Sequence, residues 1–334
     1  MAAVVLFIGV PWLLGVLGIR PTIKVLAFTS LTEIVFLIGA ALVIMAKVHT
    51  PHPWTPLEIG VTGYKGVAMG MIFAITSFIG VGSHAPLGEE AKGVRTQRGR
   101  LIGKAALVSL ALVGAVLTRS AYALTVGWGP AQMGAFATAD APGVTVFLHD
   151  LGPVGAVALV VLAVNSAFTD CLALLTSSAR VLYAIGRDQL LGTHFGIVNG
   201  CHAPAEAVTA LASLAAAAGI AAGLWLGPVN AFDVITTAVL FGLATAHTLM
   251  NVSLMRLYAH EHGGVRHVLQ HFVLPVAATA LFWWVLYESV WPISSPLSWS
   301  LAVWFSVLAG ALVCIWRIGG RLDYVDGHRL GVSG

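Results

Sequence analysis

Apolar residues in this chain come in long runs, separated by short connections rich in Gly, Pro and charged residues. A membrane-spanning helix needs about 20 mostly apolar residues, because its rise of about 1.5 Å per residue must cover a hydrocarbon core of about 30 Å. The pattern predicts nine spans and no linker that divides the chain, hence one polytopic membrane domain over residues 1–334. The spans are expected at about 2–18, 23–46, 67–86, 104–127, 153–186, 205–226, 230–256, 268–290 and 297–316.

The third run contains helix-breaking residues in the stretch FIGVGSHAPLGEE, residues 78–90. Its apolar part, residues 67–82, is too short to cross the membrane, so the crossing must use residues 83–88 as well. Gly80 and Gly82 favour unwinding there. Two half-helices meeting near the midplane would leave carbonyl groups for an ammonium group or cation and N–H groups for a carboxylate. A glycine-rich packing face between helices is the alternative.

Composition agrees with a membrane protein. Hydrophobic residues make up 58% of the chain and charged residues 9%, whereas a soluble domain carries about 25% charged residues. The formal net charge of +3 is small and forms no basic stripe, so no nucleic-acid partner is expected. Cys171, Cys201 and Cys314 are isolated in sequence, which favours free thiols over a disulfide framework.

The sequence has no evident motif of an enzyme. It contains no nucleophile elbow, no phosphate-binding loop and no paired carboxylates inside an expected cavity. The most metal-like cluster is HEHGGVRHVLQH, residues 260–271, where His267 and His271 share a helix face, but it does not have the His-Glu-x-x-His pattern. We therefore expect no catalytic residue, no bound metal and no cofactor. A membrane enzyme that uses this His-rich loop is the less favoured alternative.

Positive charge indicates the orientation of the spans. Fourteen of the 17 Lys and Arg residues lie in one set of alternate connections and the C-terminal tail, and three lie toward the opposite side. Because cytoplasmic loops carry the excess of Lys and Arg, the C-terminus is expected in the cytoplasm. Nine spans then put Met1 outside, which favours further sequence before Met1.

Three segments occur in a fixed order along the chain and carry a resemblance. They are GIRPTIKVLAFTSLTEIVFLIG (18–39), FIGVGSHAPLGEEAKGVRTQRGRLIGKA (78–105) and SSARVLYAIGRDQLLG (177–192). In that order they resemble the connection between the fourth and fifth helices, the sixth helix with its following loop, and the end of the eighth helix of the amino acid–polyamine–organocation (APC) superfamily of amino acid permeases. The first of the three is weak by itself.

The resemblance implies an all-α integral membrane protein with a LeuT-type transporter bundle. The nine spans would correspond to helices four to twelve, with one broken helix near 78–86, and helices one to three would be missing. Residues 1–46 would be the rest of the first repeat and 67–256 the second five-helix repeat. Residues 268–316 would form two C-terminal helices and 317–334 a cytoplasmic tail.

The resemblance also implies a substrate site at the break in the sixth helix. There the backbone would bind an amino acid or a related amine. His84 lies just past the break and could titrate near neutral pH. The implied substrate-binding residues are Ser77, Phe78, Ile79, Gly80, Gly82, Ser83 and His84.

Ionisable and polar side chains inside other spans are candidates for ion coupling, because such groups are costly in the membrane. Glu33 lies in the middle of the second span. Asn165, Ser166, Thr169 and Asp170 share one helix face in the fifth span, and their oxygens suit a hard cation. The resemblance puts both near the family's ion-coupling region, so the coupling ion would be H⁺ or Na⁺. Structural hydrogen bonds between helices are the alternative for both.

The sequence thus predicts a secondary active transporter that moves amino acids or related amines by alternating access in the plasma membrane of a bacterium. Its partners would be the small-molecule substrate and membrane lipid, and the sequence leaves the oligomeric state open. The rival hypothesis is a truncated, inactive or accessory membrane protein without transport of its own.

The charge distribution generates a topology prediction. Reporter tags placed after Gly334 and within residues 180–204 should be cytoplasmic, and a tag within residues 128–152 should be external, because of the excess of Lys and Arg on one side. Reporter activity or protease accessibility in intact cells measures this. A cytoplasmic signal from 128–152 would contradict the number of spans or their orientation.

Overall fold

The computed structural model describes residues 2–48, 54–58, 74, 77, 78, 80, 82, 86, 95–260, 264–293 and 295–329. None of these residues forms a β-strand. Ten α-helices account for most of them, joined by 3₁₀ turns at 55–57, 130–132 and 193–196 and a π turn at 269–273. The helices are α1 (Ala2–Leu17), α2 (Ile19–Lys47), α3 (Arg95–Trp128), α4 (Met133–Thr138), α5 (Pro142–Arg187), α6 (Ala205–Leu226), α7 (Pro228–Tyr258), α8 (Val265–Val268), α9 (Leu274–Val290) and α10 (Ser298–Arg329).

Seven helical stretches in the described part of the chain are long and apolar enough to cross a membrane. They are α2, α3, α5, α6, α7, the continuous stretch from α8 to α9, and α10. The predicted all-helical, multi-pass architecture is therefore confirmed. The first predicted span corresponds to the shorter helix α1, and most of the third, 67–86, lies outside the described residues.

Two helices extend beyond the spans that hydropathy predicts. Helix α10 continues to Arg329, although the sequence suggested a tail from residue 317. Residues 317–329 contain no proline, so nothing in the local sequence forces the helix to end at the membrane boundary. Helix α5 begins at Pro142, before the predicted start at residue 153.

A kink at Gly152 explains the length of α5. Gly152 has φ 75° and ψ −177°, and Pro153 follows it. A residue before proline is disfavoured in the α region, and the positive φ suits glycine. The kink therefore separates residues 142–151, here called the arm, from the apolar helix that the sequence predicted at 153–186.

The described helices pack as two compact units, one within residues 1–61 and 78–217 and the other within 62–77 and 218–334. The core of the first unit lies between α2, α3 and α5. It contains small side chains that let the helices approach closely, together with three larger ones. The buried residues of this core are Ala40, Ala41, Ile44, Ala123, Val146, Phe147 and Ala156.

The turn between α1 and α2 is tied to the segment before α6 by one asparagine. The Asn199 Nδ2 group donates to the Val16 carbonyl at 2.9 Å. Its Oδ1 accepts from the backbone N–H groups of Cys201 and Ala203, at 3.0 and 2.9 Å. The three backbone groups lie at a helix end or in a loop, where helices leave such groups unpaired. The Asn199 side chain therefore links the turn between α1 and α2 to the segment before α6.

In the second unit, polar side chains on α7 hold α9 and α10. The indole N–H of Trp283 donates to the Thr248 hydroxyl at 3.0 Å, and that of Trp304 donates to the Thr245 hydroxyl at 3.2 Å. Asn251 Nδ2 donates to the Thr279 hydroxyl at 2.9 Å. Apolar contact alone gives little preference for helix association in lipid, so these bonds help to fix which helices pair.

Two glycines bring the end of α5 against the 3₁₀ turn at 193–196. A Cβ atom at Gly186 would lie 2.6 Å from the backbone nitrogen of Gly196, and a Cβ atom at Gly196 would lie 2.7 Å from the nitrogen of Arg187. Both neighbours are backbone atoms, which cannot turn aside as a flexible side chain can. The contact therefore requires glycine at both positions.

This contact predicts a stability difference between two glycine substitutions. Gly186→Ala should destabilise the protein by about 1–3 kcal/mol, the usual cost of overpacking, and should lower the melting temperature of the purified protein. Gly103→Ala in α3 is the matched control, because a Cβ atom there meets nothing within 4 Å. Equal melting temperatures for the two variants would contradict the close contact.

Candidate functional site

The backbone leaves the helical path at the described positions of the predicted break. Ser77, Phe78, Gly80 and Gly82 all lie in turns. Gly80 has φ 96°, in the left-handed region that residues with a Cβ atom rarely adopt. A turn in so apolar a segment leaves backbone groups that must bond within the protein or with a bound molecule.

Phe78 anchors this turn to α3. The ring of Phe78 reaches Gly114, where a Cβ atom would lie 3.6 Å from its Cζ atom. Phe78 is half-buried, whereas Ser77 and Gly82 are exposed. Gly80 is half-buried as well, so the described part of the turn has two half-buried residues and two exposed ones. Of the other predicted substrate-binding residues, Ile79, Ser83 and His84 lie outside the described residues.

Two of the predicted ion-coupling residues meet directly. The Asn165 Nδ2 group on α5 donates a hydrogen bond to the Glu33 Oε1 atom on α2, at 2.5 Å. Both side chains are half-buried. The other carboxyl oxygen of Glu33, Oε2, has no hydrogen-bond partner in the part of the chain that the structure describes. The pair joins two helices within apolar spans.

The other predicted residues on this face of α5 differ in what they can offer to an ion. Thr169 is buried, and its hydroxyl donates to the carbonyl of Asn165 at 2.7 Å and lies 3.1 Å from that of Ser166. Its proton is therefore shared with its own helix. Ser166 and Asp170 are exposed on the surface of their unit. Among the predicted residues, Glu33 and Asn165 are the two whose side chains are bonded to each other.

A second polar contact, which the sequence did not predict, joins α2 to the arm. The Lys47 Nζ atom donates to the backbone carbonyl of Asp150 at 2.6 Å. The Asp150 Oδ1 atom lies 2.7 Å from Nδ1 of the exposed His149. The Oδ2 atom is buried against α3, where a Cβ atom at Gly127 would lie 2.7 Å away. The signal that could have found it is the adjacent pair His149 and Asp150, one residue before the Gly152-Pro153 that follows the arm.

The His-rich segment forms an aromatic cluster. The rings of Tyr258 and His271 stack with centroids 3.9 Å apart, and His267 lies 4.5 Å from His271. The His271 Nδ1 atom lies 3.0 Å from the His267 carbonyl. Within the described ranges no three His, Cys, Asp or Glu side chains are arranged to hold a metal ion.

Comparison with known proteins identifies the family. The family model for amino acid permeases matches residues 1–332. A branched-chain amino acid permease, BcaP of Lactococcus lactis subsp. cremoris (strain MG1363), is 28% identical over 177 residues. That match covers 49% of this chain and 34% of the relative, so the aligned part is about a third of the relative's length. The family consists of membrane transporters rather than enzymes, and because its model covers nearly the whole sequence, this chain belongs to the amino acid permease family.

Proposed function

We propose that this protein transports amino acids across the membrane by alternating access. The observation that carries the proposal is the turn described at Phe78, Gly80 and Gly82, where Gly80 has φ 96° within an apolar segment. Backbone groups released by such a turn match the carboxylate and ammonium groups that every amino acid has. Membership of the permease family supports the same substrate class.

Branched-chain amino acids are the first substrates to test. The relative BcaP is named as a branched-chain amino acid permease. In a site where backbone groups bind the common part of the substrate, the side chain is distinguished by packing alone. One methylene in an apolar pocket is worth about 1–3 kcal/mol, so related aliphatic substrates would compete with one another.

The coupling ion is a proton taken up by Glu33. One feature supports a proton over sodium. Glu33 Oε1 accepts from Asn165 and its Oε2 has no partner among the described residues, so one carboxyl oxygen is left to bind the ion. A sodium ion would need several oxygen ligands around one point, whereas a proton needs one carboxyl oxygen.

The test measures uptake of leucine, isoleucine and valine by proteoliposomes that contain the purified protein. An inward proton gradient of one pH unit is worth about 1.4 kcal/mol and should support up to about tenfold accumulation for one coupled proton. Glu33→Gln should lose this accumulation and retain exchange of internal for external substrate, because the substrate site is intact.

Thr169→Val is the matched control for this test. It keeps the shape of the side chain and removes a hydroxyl that bonds its own helix, so proton-driven accumulation should persist. If accumulation instead follows a sodium gradient and is reduced in the Thr169→Val variant, the coupling ion would be sodium and not a proton. Absence of saturable uptake and exchange under all gradients would favour the rival hypothesis of a membrane protein without transport of its own.

A pair of glycine variants tests the role of the turn. A Cβ atom at Gly80 or at Gly82 meets nothing within 4 Å, but only Gly80 of these two has a positive φ. Gly80→Ala should therefore strain the turn, at a cost of about 1–2 kcal/mol, and should raise the substrate concentration for half-maximal uptake. Gly82→Ala should behave close to the parent protein. Equal uptake curves for the parent and Gly80→Ala would show that the turn does not bind substrate.

A further inference from the structure

The two carboxyl oxygens of Glu33 have different surroundings. Its Oε1 atom accepts a hydrogen bond from the Asn165 Nδ2 group at 2.5 Å, whereas its Oε2 atom has no hydrogen-bond partner in the part of the chain that the structure describes. An amide nitrogen can only donate, so Oε1 is the acceptor in this contact. A proton that binds the carboxyl group therefore goes to Oε2.

Asn165 is the polar group that contacts this carboxyl in the described structure. Helices α1, α3 and α5 pack against α2. None of their titratable side chains forms an ion pair or a hydrogen bond with Glu33 among the described residues. Residues 2–17 of α1 contain no titratable side chain. Within the predicted spans, the titratable groups on the other helices are Lys104, Arg119 and Tyr122 of α3, Asp170, Cys171, Arg180 and Tyr183 of α5, and Lys24 of α2 itself.

The contact between Asn165 and Glu33 favours the ionised form of the carboxyl group. Both side chains are half-buried between apolar helices, where a charged group is costly. An amide that donates to a carboxylate makes a charge-assisted bond, which is stronger than the bond that it makes to a neutral carboxyl group. Asn165 therefore offsets part of the cost of the charge, and its bond opposes proton uptake at Oε2.

We propose that Asn165 is a positioning residue that sets the pH range in which Glu33 takes up and releases its proton. This role rests on the proposed proton coupling through Glu33, and it adds a residue that tunes the ion site without carrying the ion. Without the bond, the carboxyl group would hold its proton up to higher pH and release it less readily. If the bond served helix packing alone, its loss would lower stability and leave the pH range unchanged.

The test measures the protonation of Glu33 directly, in purified protein in lipid nanodiscs. The infrared carbonyl band of a protonated carboxyl group is followed as the pH is varied, and it is assigned to Glu33 by its absence in Glu33→Gln. Asn165→Leu replaces the amide by an apolar side chain of similar size. In this variant the band should reach half its height at about tenfold lower proton concentration than in the parent protein, because a hydrogen bond to a charged group contributes about that factor.

Two controls separate this effect from a general loss of packing. Asn251→Leu also removes a hydrogen bond between helices, that to the Thr279 hydroxyl at 2.9 Å, but its partner does not titrate. The Glu33 band should therefore titrate in this variant as it does in the parent protein. Asn165→Gln keeps an amide on a side chain that is longer by one methylene, so its band should titrate between those of the parent and Asn165→Leu. It serves in place of Asn165→Leu if that variant does not fold.

Proton-driven uptake of leucine provides the second readout. With a gradient of one pH unit imposed at several external pH values, accumulation should extend to an external pH about one unit higher in Asn165→Leu than in the parent protein. Equal band titrations in the parent, Asn165→Leu and Asn165→Gln would overturn this role of Asn165 and leave proton coupling by Glu33 intact. Absence of a Glu33 band at every pH, in folded protein, would instead overturn the proton site itself and with it the role of Asn165.

Discussion

Polar groups inside a membrane-spanning segment must find their partners within the protein, because the hydrocarbon core offers none. This constraint governs most of the contacts in the molecule. The hydroxyls of Thr29 and Thr245 donate to the carbonyl four residues earlier in their own helices. Indole and amide groups donate between helices, as Trp283 and Asn165 do. The helices are therefore held in specific pairs by a few polar side chains set among many apolar ones.

Because of the same constraint, an interruption of a helix within an apolar segment needs a physical explanation. At Gly152 the interruption precedes a proline and turns the chain from the arm into a spanning helix. At Gly80 the interruption lies in an apolar segment and no proline follows directly, so local sequence gives no reason other than glycine itself. Gly186 is different, because it lies within a regular helix and serves a close backbone contact. Glycine thus has three distinct physical roles in this chain.

The spans and the break depend mainly on nearby residues, and these elements could be predicted from the sequence. Hydropathy found the spans because the membrane acts on each segment separately, and the turn residues at 78–82 indicated the break. The arm was missed because ten residues are too few to register as a span. The pairing of Glu33 with Asn165 was not derivable either, since the two are 132 residues apart and nothing local joins them. From the sequence, each of these two residues could be identified only as a polar side chain whose burial in its own apolar span costs free energy. The roles of all the predicted substrate-binding and ion-coupling residues stay predictions.

If Glu33 takes up a proton, as proposed, its bond to Asn165 would connect that proton to the packing of α2 against α5. An amide that donates to an ionised carboxylate makes a charge-assisted bond, roughly twice as strong as its neutral counterpart. Protonation at Oε2 would convert the acceptor to a neutral carboxyl group and weaken the link between the two helices. It would also remove the cost of a charge within an apolar span. A proton would therefore change both the strength of this contact and the cost of moving Glu33 relative to its surroundings. A coupling ion can favour one arrangement of the helices only if it interacts differently with the two arrangements, and both changes would produce such a difference.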